Sequence, residues 1–306
     1  CNSPVRGELK KIKLKFCGIP TIIGKATHSL KSDETKMKIL VLSILTVGRS
    51  AKFEQQPDYS TITSRSNRVV SVPQDIYLRF CRELCTLQNI KRIPKPVFKS
   101  YHFSVSASPL GDNSMESLYV ELISLPKELL ESIKQIGGRD LCFRIDFVIS
   151  NYRIISEVIP GYKRCVEKLV KRFKHLEGFI EPLDIYDPND QFFRFLSSYI
   201  RKLVSFAEYE GKTRIIGLSD YWSQTALEPL ATVFFEILSA IPQDQTFDQF
   251  EGCKELLFSD SITYHCLDLS AFTDRFPFQV LSELLTTLYG QNYSDLVGNI
   301  LNGFPF

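Results

Sequence analysis

The sequence predicts an α+β fold, and three observations predict it. Two β-rich runs, Lys202–Ala207 and Thr213–Leu218, flank a polar loop containing Gly211, which is a hairpin signal. Apolar residues recur at helical spacing over 162–173, 222–241 and 278–288. A partly β-branched run, 261–267, reads as a short buried strand that ends on Asp268. Helices therefore dominate, and the few strands gather in the second half.

A chain of 306 residues is long enough for two lobes. The polar, proline-containing stretch 177–191 divides it into a helical region, 1–190, and a part carrying the hairpin and final strand, 191–306. Net charge is only +2, so any face that binds nucleic acid must be local. The eight cysteines are scattered in a chain too large to need disulfide staples, and free thiols are expected. Cys81 and Cys85 stand one turn apart, but no matching pair completes a zinc site. The apolar run 39–47 is too short to cross a bilayer, so no membrane span is expected.

Along the chain, Lys10, Lys11, Lys13 and Lys15 alternate with apolar residues, a pattern that suits either RNA phosphates or a solvated extension. Residues 39–47 read as a buried helix and 50–72 as a loop. A helix over 73–87 places Tyr77, Phe80, Cys81, Leu84 and Cys85 on one side. Pro94 and Pro96 make 89–99 an extended connector. Gly111-Asp112-Asn113 reads as a loop entering a helix, with Asn113 or Ser114 as its cap. Helices follow over 114–125 and 126–136, the second closed by Gly137-Gly138. Residues 141–149 fit helix or strand equally.

The clearest amphipathic helix is 162–175. Tyr162, Cys165, Val166, Leu169, Val170 and Phe173 form its apolar face, and six cations, among them Lys168 and Arg172, fill the rest. Those cations suit an ordinary solvated face or a helix lying on a membrane surface. An aromatic-rich helix over 191–200 leads into the hairpin. Beyond it, Ser219 or Asp220 caps a helix with Trp222, Ala226, Leu230, Phe234, Ile237 and Ile241 inward. Trp222 reads as packing rather than a base-stacking platform. Pro277 opens the last predicted helix and Gly290 closes it.

Two clusters point to chemistry. Lys212 and Arg214 are alternate residues of one strand and share a face, a fork suited to a polyphosphate or, more plainly, a solvated sheet edge. Asp268 at a strand end, with Asp274 after five intervening residues, suits a divalent ion that takes hard carboxylate oxygens, though an Asp at such a junction also mimics a turn.

Three blocks stand in order: the segment from Arg201 through Gly211-Lys-Thr-Arg-Ile-Ile216 to Asp220-Tyr-Trp-Ser-Gln224, then Thr246-Phe-Asp-Gln249, then Leu267-Asp-Leu-Ser-Ala-Phe-Thr-Asp-Arg-Phe-Pro277. Together they resemble the RNA-dependent RNA polymerases of mitoviruses. Weaker similarity at Ser100-Tyr-His-Phe103, 122–130 and Ile136-Gly-Gly138 extends the resemblance over most of the chain. It implies helical fingers bearing the hairpin, followed by the first strand and helix of a right-hand palm. It implies that Lys212 and Arg214 grip the incoming nucleoside triphosphate, with Arg201 and Lys202 as further nucleotide contacts. Asp268 is then the catalytic carboxylate and metal ligand for Mg²⁺ or Mn²⁺, and Asp274 senses the ribose 2′-hydroxyl. RNA template, RNA product and nucleoside triphosphates are the implied partners, and the host mitochondrion the implied location. The family pattern continues to a glycine-rich motif and a Gly-Asp-Asp turn that this chain lacks, so it is expected to be a catalytically incomplete piece. The other readings are a non-catalytic RNA-binding remnant and an unrelated helical interaction protein.

Overall fold

The structure, a computed structural model, describes Ser43 and residues 56–63, 72–87, 93–98, 107–174, 187–207, 213–241, 243–248 and 272–306. The chain divides into two compact units, Cys1–Asp58 with Ser205–Ile215, and Tyr59–Val204 with Ile216–Phe306. Nearly all described residues belong to the second. The run 39–47 and the strand predicted over 261–267 lie outside the described residues.

Helices prevail. In chain order they are α1 (Ser60–Thr63), α2 (Gln74–Leu87), α3 (Ser114–Ser124), α4 (Lys127–Ser150), α5 (Tyr152–Val158), α6 (Pro160–Phe173), α7 (Gln191–Leu196), α8 (Tyr221–Ser239), α9 (Phe272–Arg275), α10 (Phe278–Tyr289) and α11 (Gln291–Asn302). The strands β1 (Lys202–Ala207) and β2 (Thr213–Leu218) pair as a two-stranded sheet. A mostly helical α+β chain with one hairpin is what the periodicities predict.

The main core gathers α3, α4, α6, α7 and the start of α8 around Trp222, Tyr162, Phe192 and Phe193, all buried. On α6 the predicted apolar face is the buried one, through Tyr162, Cys165, Val166, Leu169 and Phe173. Pro160 sits in its first turn, where a missing N–H leaves nothing unsatisfied. Trp222 is core, as expected, and its indole N–H donates to the Leu118 carbonyl at 2.8 Å. The Tyr152 and Tyr162 hydroxyls bond to each other inside the same core. Asn113 caps α3 by accepting from the Met115 N–H at 2.9 Å, so Gly111-Asp112-Asn113 is the helix-entry loop that was expected.

Helix α2 buries Tyr77 and Leu84, but Phe80, expected beside them, faces solvent. Positions 77 and 84 are separated by seven residues, two full turns, and Phe80 drifts off that stripe. The ambiguous run 141–149 is helix. Leu141, Ile145 and Val148 are buried at helical spacing, while Phe143 and Phe147 point outward. Helix α11 was not expected, although Tyr293, Val297 and Ile300 carry the same spacing.

Within α4 the chain turns at Gly138, whose φ of 67° and ψ of −163° belong to a region that L-residues rarely occupy. Gly137 has a separate reason: a Cβ there would lie 2.2 Å from a methyl of buried Leu141. The turn folds α4 back on itself, so that Lys134 and Asp146 form an ion pair at 2.6 Å. In a straight helix twelve residues rise about 18 Å, beyond the reach of those two side chains. Gly138→Ala is expected to lower stability by about 1–2 kcal/mol, read from the midpoint of urea unfolding.

Candidate functional site

The hairpin and its two ends hold the described candidates. Arg214 is exposed on β2, and Lys212 lies outside the described residues. Asp268 also lies outside them, and Asp274 is placed only as a backbone position in the short helix α9. Among the described residues no group of three or more His, Cys, Asp or Glu could hold a metal ion. No described helix is long and apolar enough to cross a membrane. The described thiols Cys81, Cys85, Cys142 and Cys165 are free.

Arg201, expected to contact nucleotide, is buried one residue before β1. Its guanidinium donates to the carbonyls of Ile300, Leu301 (3.1 Å) and Phe304 (3.2 Å), and lies over the rings of Phe304 and Phe306. These carbonyls belong to the end of α11 and the turn after it, where helix carbonyls lack partners and the dipole is negative. Burial pushes the Arg201 pKa down, and Asp220 partly offsets that. The entry of the hairpin is thereby tied to the last helical turn of the unit.

The exit of the hairpin is tied just as firmly. Asp220 follows β2 and caps α8, accepting from the Ser223 N–H (2.8 Å) and the Ser223 hydroxyl (2.6 Å). Glu121, buried on α3, reaches the same turn and accepts from the Tyr221 N–H at 2.7 Å. The Ser117 hydroxyl donates to its other oxygen at 3.0 Å. Burial pushes Glu121 up to about 7, and the neighbouring Asp220 carboxylate adds to the rise. Asp220 is itself raised by burial. Sequence reading singled out Asp220 but missed Glu121. Its signal is a carboxylate set into an apolar helical stripe between Leu118, Leu122 and Leu125.

Lys202, the other expected contact, lines a cleft of about 100 Å³ with the loop Ser108–Asp112 and with Lys168 and Arg172 of α6. Lys168 pairs with Asp112 at 2.8 Å, and this hydrogen-bonded charge, helped by Lys202, holds Asp112 below the usual carboxylate range. Glu116 on the rim pairs with Arg164 at 3.3 Å. Part of the basic face of α6 is thus neutralised by α3 and its entry loop. The cleft thiol, Cys165, is pushed by burial to about 12 and stays protonated.

No solved structure significantly matches the chain. The RNA-directed RNA polymerase of Cryphonectria parasitica mitovirus 1 (strain American chestnut tree/New Jersey/NB631) is 25% identical over 260 residues, which cover 83% of this chain and 29% of that protein. The chain thus spans less than a third of the length of this relative. The model of the mitovirus RNA-dependent RNA polymerase family matches residues 94–306, a span that contains the hairpin, both ties at its ends, and the block around Asp268. With well over half of its residues inside that match, the chain belongs to the mitovirus RNA-dependent RNA polymerase family.

Proposed function

We propose that the chain contributes the nucleotide-gripping fingers hairpin and the first catalytic carboxylate of an RNA-dependent RNA polymerase. The reaction is attack of an RNA 3′-hydroxyl on the α-phosphate of a nucleoside triphosphate, with pyrophosphate leaving, on an RNA template. The observation that carries this reading is the family match across 94–306, which includes both the Lys212–Arg214 and the Asp268 blocks. In support, β2 presents an exposed Arg214, and both ends of the hairpin are anchored by buried charged groups. A rigid base suits a strand that must hold a polyphosphate in one position.

In this reading Lys212 and Arg214 neutralise the triphosphate, and Asp274 accepts from the ribose 2′-hydroxyl. Asp268 is the residue that would hold a divalent cation, Mg²⁺ or Mn²⁺, whose chemistry is to lower the charge of the reacting phosphate. With Arg201 engaged by the end of α11, Lys212 and Arg214 carry the triphosphate contact. The host mitochondrion, where mitoviruses replicate, is the proposed location.

The test is binding of a fluorescent GTP analogue to the 306-residue chain in the presence of Mg²⁺. Lys212→Ala with Arg214→Ala is expected to weaken binding about tenfold, the loss of roughly 1.4 kcal/mol of charge-assisted contact. Equal affinity in the double variant overturns the assignment of these two cations.

A further inference from the structure

The cleft beside the hairpin base shares no residue with the nucleotide grip just described, and its lining is basic. Three cations line it: Lys168 and Arg172 from successive turns of α6, and Lys202 from the first position of β1. The opposite wall is a constrained loop. The Ser108 N–H donates to the Gly111 carbonyl at 2.9 Å, and the Gly111 N–H donates to the Ser108 hydroxyl at 2.9 Å. The Ser108 hydroxyl also bonds to that of Ser117 at 2.6 Å, in the buried network that reaches Glu121. Asp112 at the end of this loop fixes the Lys168 ammonium, taking one of its three donors.

The geometry points to this cleft as the seat of one phosphodiester of an RNA strand, held by Lys168, Arg172 and Lys202. Charge decides between RNA and nucleotide. Of the two lining carboxylates, Asp112 pairs with Lys168 and Glu116 with Arg164, a cation outside the lining, so Arg172 and Lys202 carry the positive charge left to the cleft. Two cations suffice for the single charge of a phosphodiester and fall short of a nucleoside triphosphate, which carries about four at neutral pH. The volume, about 100 Å³, admits a phosphate group. Arg172 offers planar paired donors and Lys202 a point charge, so the two can hold one phosphate from different sides. This inference rests on the reading of the chain as part of an RNA polymerase.

The experiment measures fluorescence anisotropy of a single-stranded 12-nucleotide oligouridylate with the 306-residue chain across a KCl series, and of the GTP analogue in parallel. The variant is Arg172→Gln with Lys202→Gln. The charge control is Lys171→Gln with Lys174→Gln, which removes one cation from the last turn of α6 and one from its C-cap, both outside the cleft. The cleft variant is expected to bind RNA about tenfold more weakly and to lose about 0.7 from the salt slope, the increment of one phosphate contact on a single strand. The control is expected to lose less than half as much, and GTP affinity to stay within twofold. Unchanged RNA binding in the cleft variant, an equal loss in the control, or a loss confined to GTP each overturns the cleft while leaving the polymerase reading standing. Absence of RNA binding by the wild-type chain overturns both. Because Arg172 is exposed and Lys202 half-buried, neither change opens a core cavity, and an unaltered thermal midpoint confirms folding.

Discussion

Replacing Arg201 by Met will lower the unfolding free energy by about 3–4 kcal/mol, the largest single-residue loss expected outside the apolar core. The residue keeps only 4% of its surface exposed, so its charge depends on its protein partners. It donates to three carbonyls at the end of α11 and in the turn after it. Methionine matches the length of the stem but leaves those carbonyls without this donor, the Ile300 one buried and the other two half-buried, at about 1–3 kcal/mol for each group that water cannot reach. The rings of Phe304 and Phe306 lose the cation beneath them as well. Arg201→Lys should recover less than half, since one ammonium cannot span carbonyls that the planar guanidinium reaches with two separate nitrogens. Urea unfolding measures the loss, and hydrogen exchange locates it, with the amides of α11 exchanging first. An unchanged urea midpoint would show that the clamp is dispensable.

The second large effect is at Glu121 and depends on pH. An unburied glutamate titrates near 4.5, and burial raises this one to about 7. Between those values the folded chain holds a proton that the unfolded chain has released. The stability from that difference is therefore complete below about pH 4.5 and is lost as pH rises through 7. The groups facing Glu121 are Asp220 on the turn into α8 and Cys165 on α6, with Arg201 acting on Asp220 from beyond. Glu121→Gln keeps an acceptor for the Tyr221 N–H and removes the titration. It should match the wild type near pH 5 and exceed it by on the order of 2 kcal/mol at pH 8. Glu121→Ala removes the acceptor altogether and should cost about 2–3 kcal/mol at both pH values, because a first-turn N–H of α8 loses its partner and the buried Ser108–Ser117 hydroxyl pair loses the carboxyl group it reaches. The check is unfolding of all three proteins at pH 5 and pH 8. Parallel wild-type and Gln profiles would mean that Glu121 is ionised throughout that range.

What the sequence revealed and what it hid follow one physical line. The hairpin and α6 were legible because their signals are local: alternation broken by Gly211 in one, an apolar stripe opposed by cations in the other. Asn113 and Asp220 were legible as caps because a cap acts within three residues of itself. Run 141–149 stayed ambiguous because nine mostly apolar residues fit either period, and only contact with the core separates Leu141, Ile145 and Val148 from Phe143 and Phe147. Glu121 and Arg201 were beyond local reading. Each meets its partners about a hundred residues away, and a charged residue at an apolar position does not announce which distant backbone group it will satisfy. The same holds for Lys202, whose neighbours Lys168 and Arg172 come from another helix. The resemblance supplied candidates for nucleotide contact, and the packing separated an anchoring role for Arg201 from the cleft position of Lys202.

The bend at Gly138 bears on handedness. A Cβ at that position would meet nothing within 4 Å, so volume does not exclude a side chain. What excludes it is chirality. Reversing the signs of its φ of 67° and ψ of −163° gives a relaxed polyproline-like conformation, so the backbone there is shaped for a D-amino acid. Among the residues a ribosome can insert, only the achiral one fits such a joint. D-alanine introduced by chemical ligation would keep the bend and narrow the torsional freedom of the denatured chain, leaving the protein firmer than its natural form.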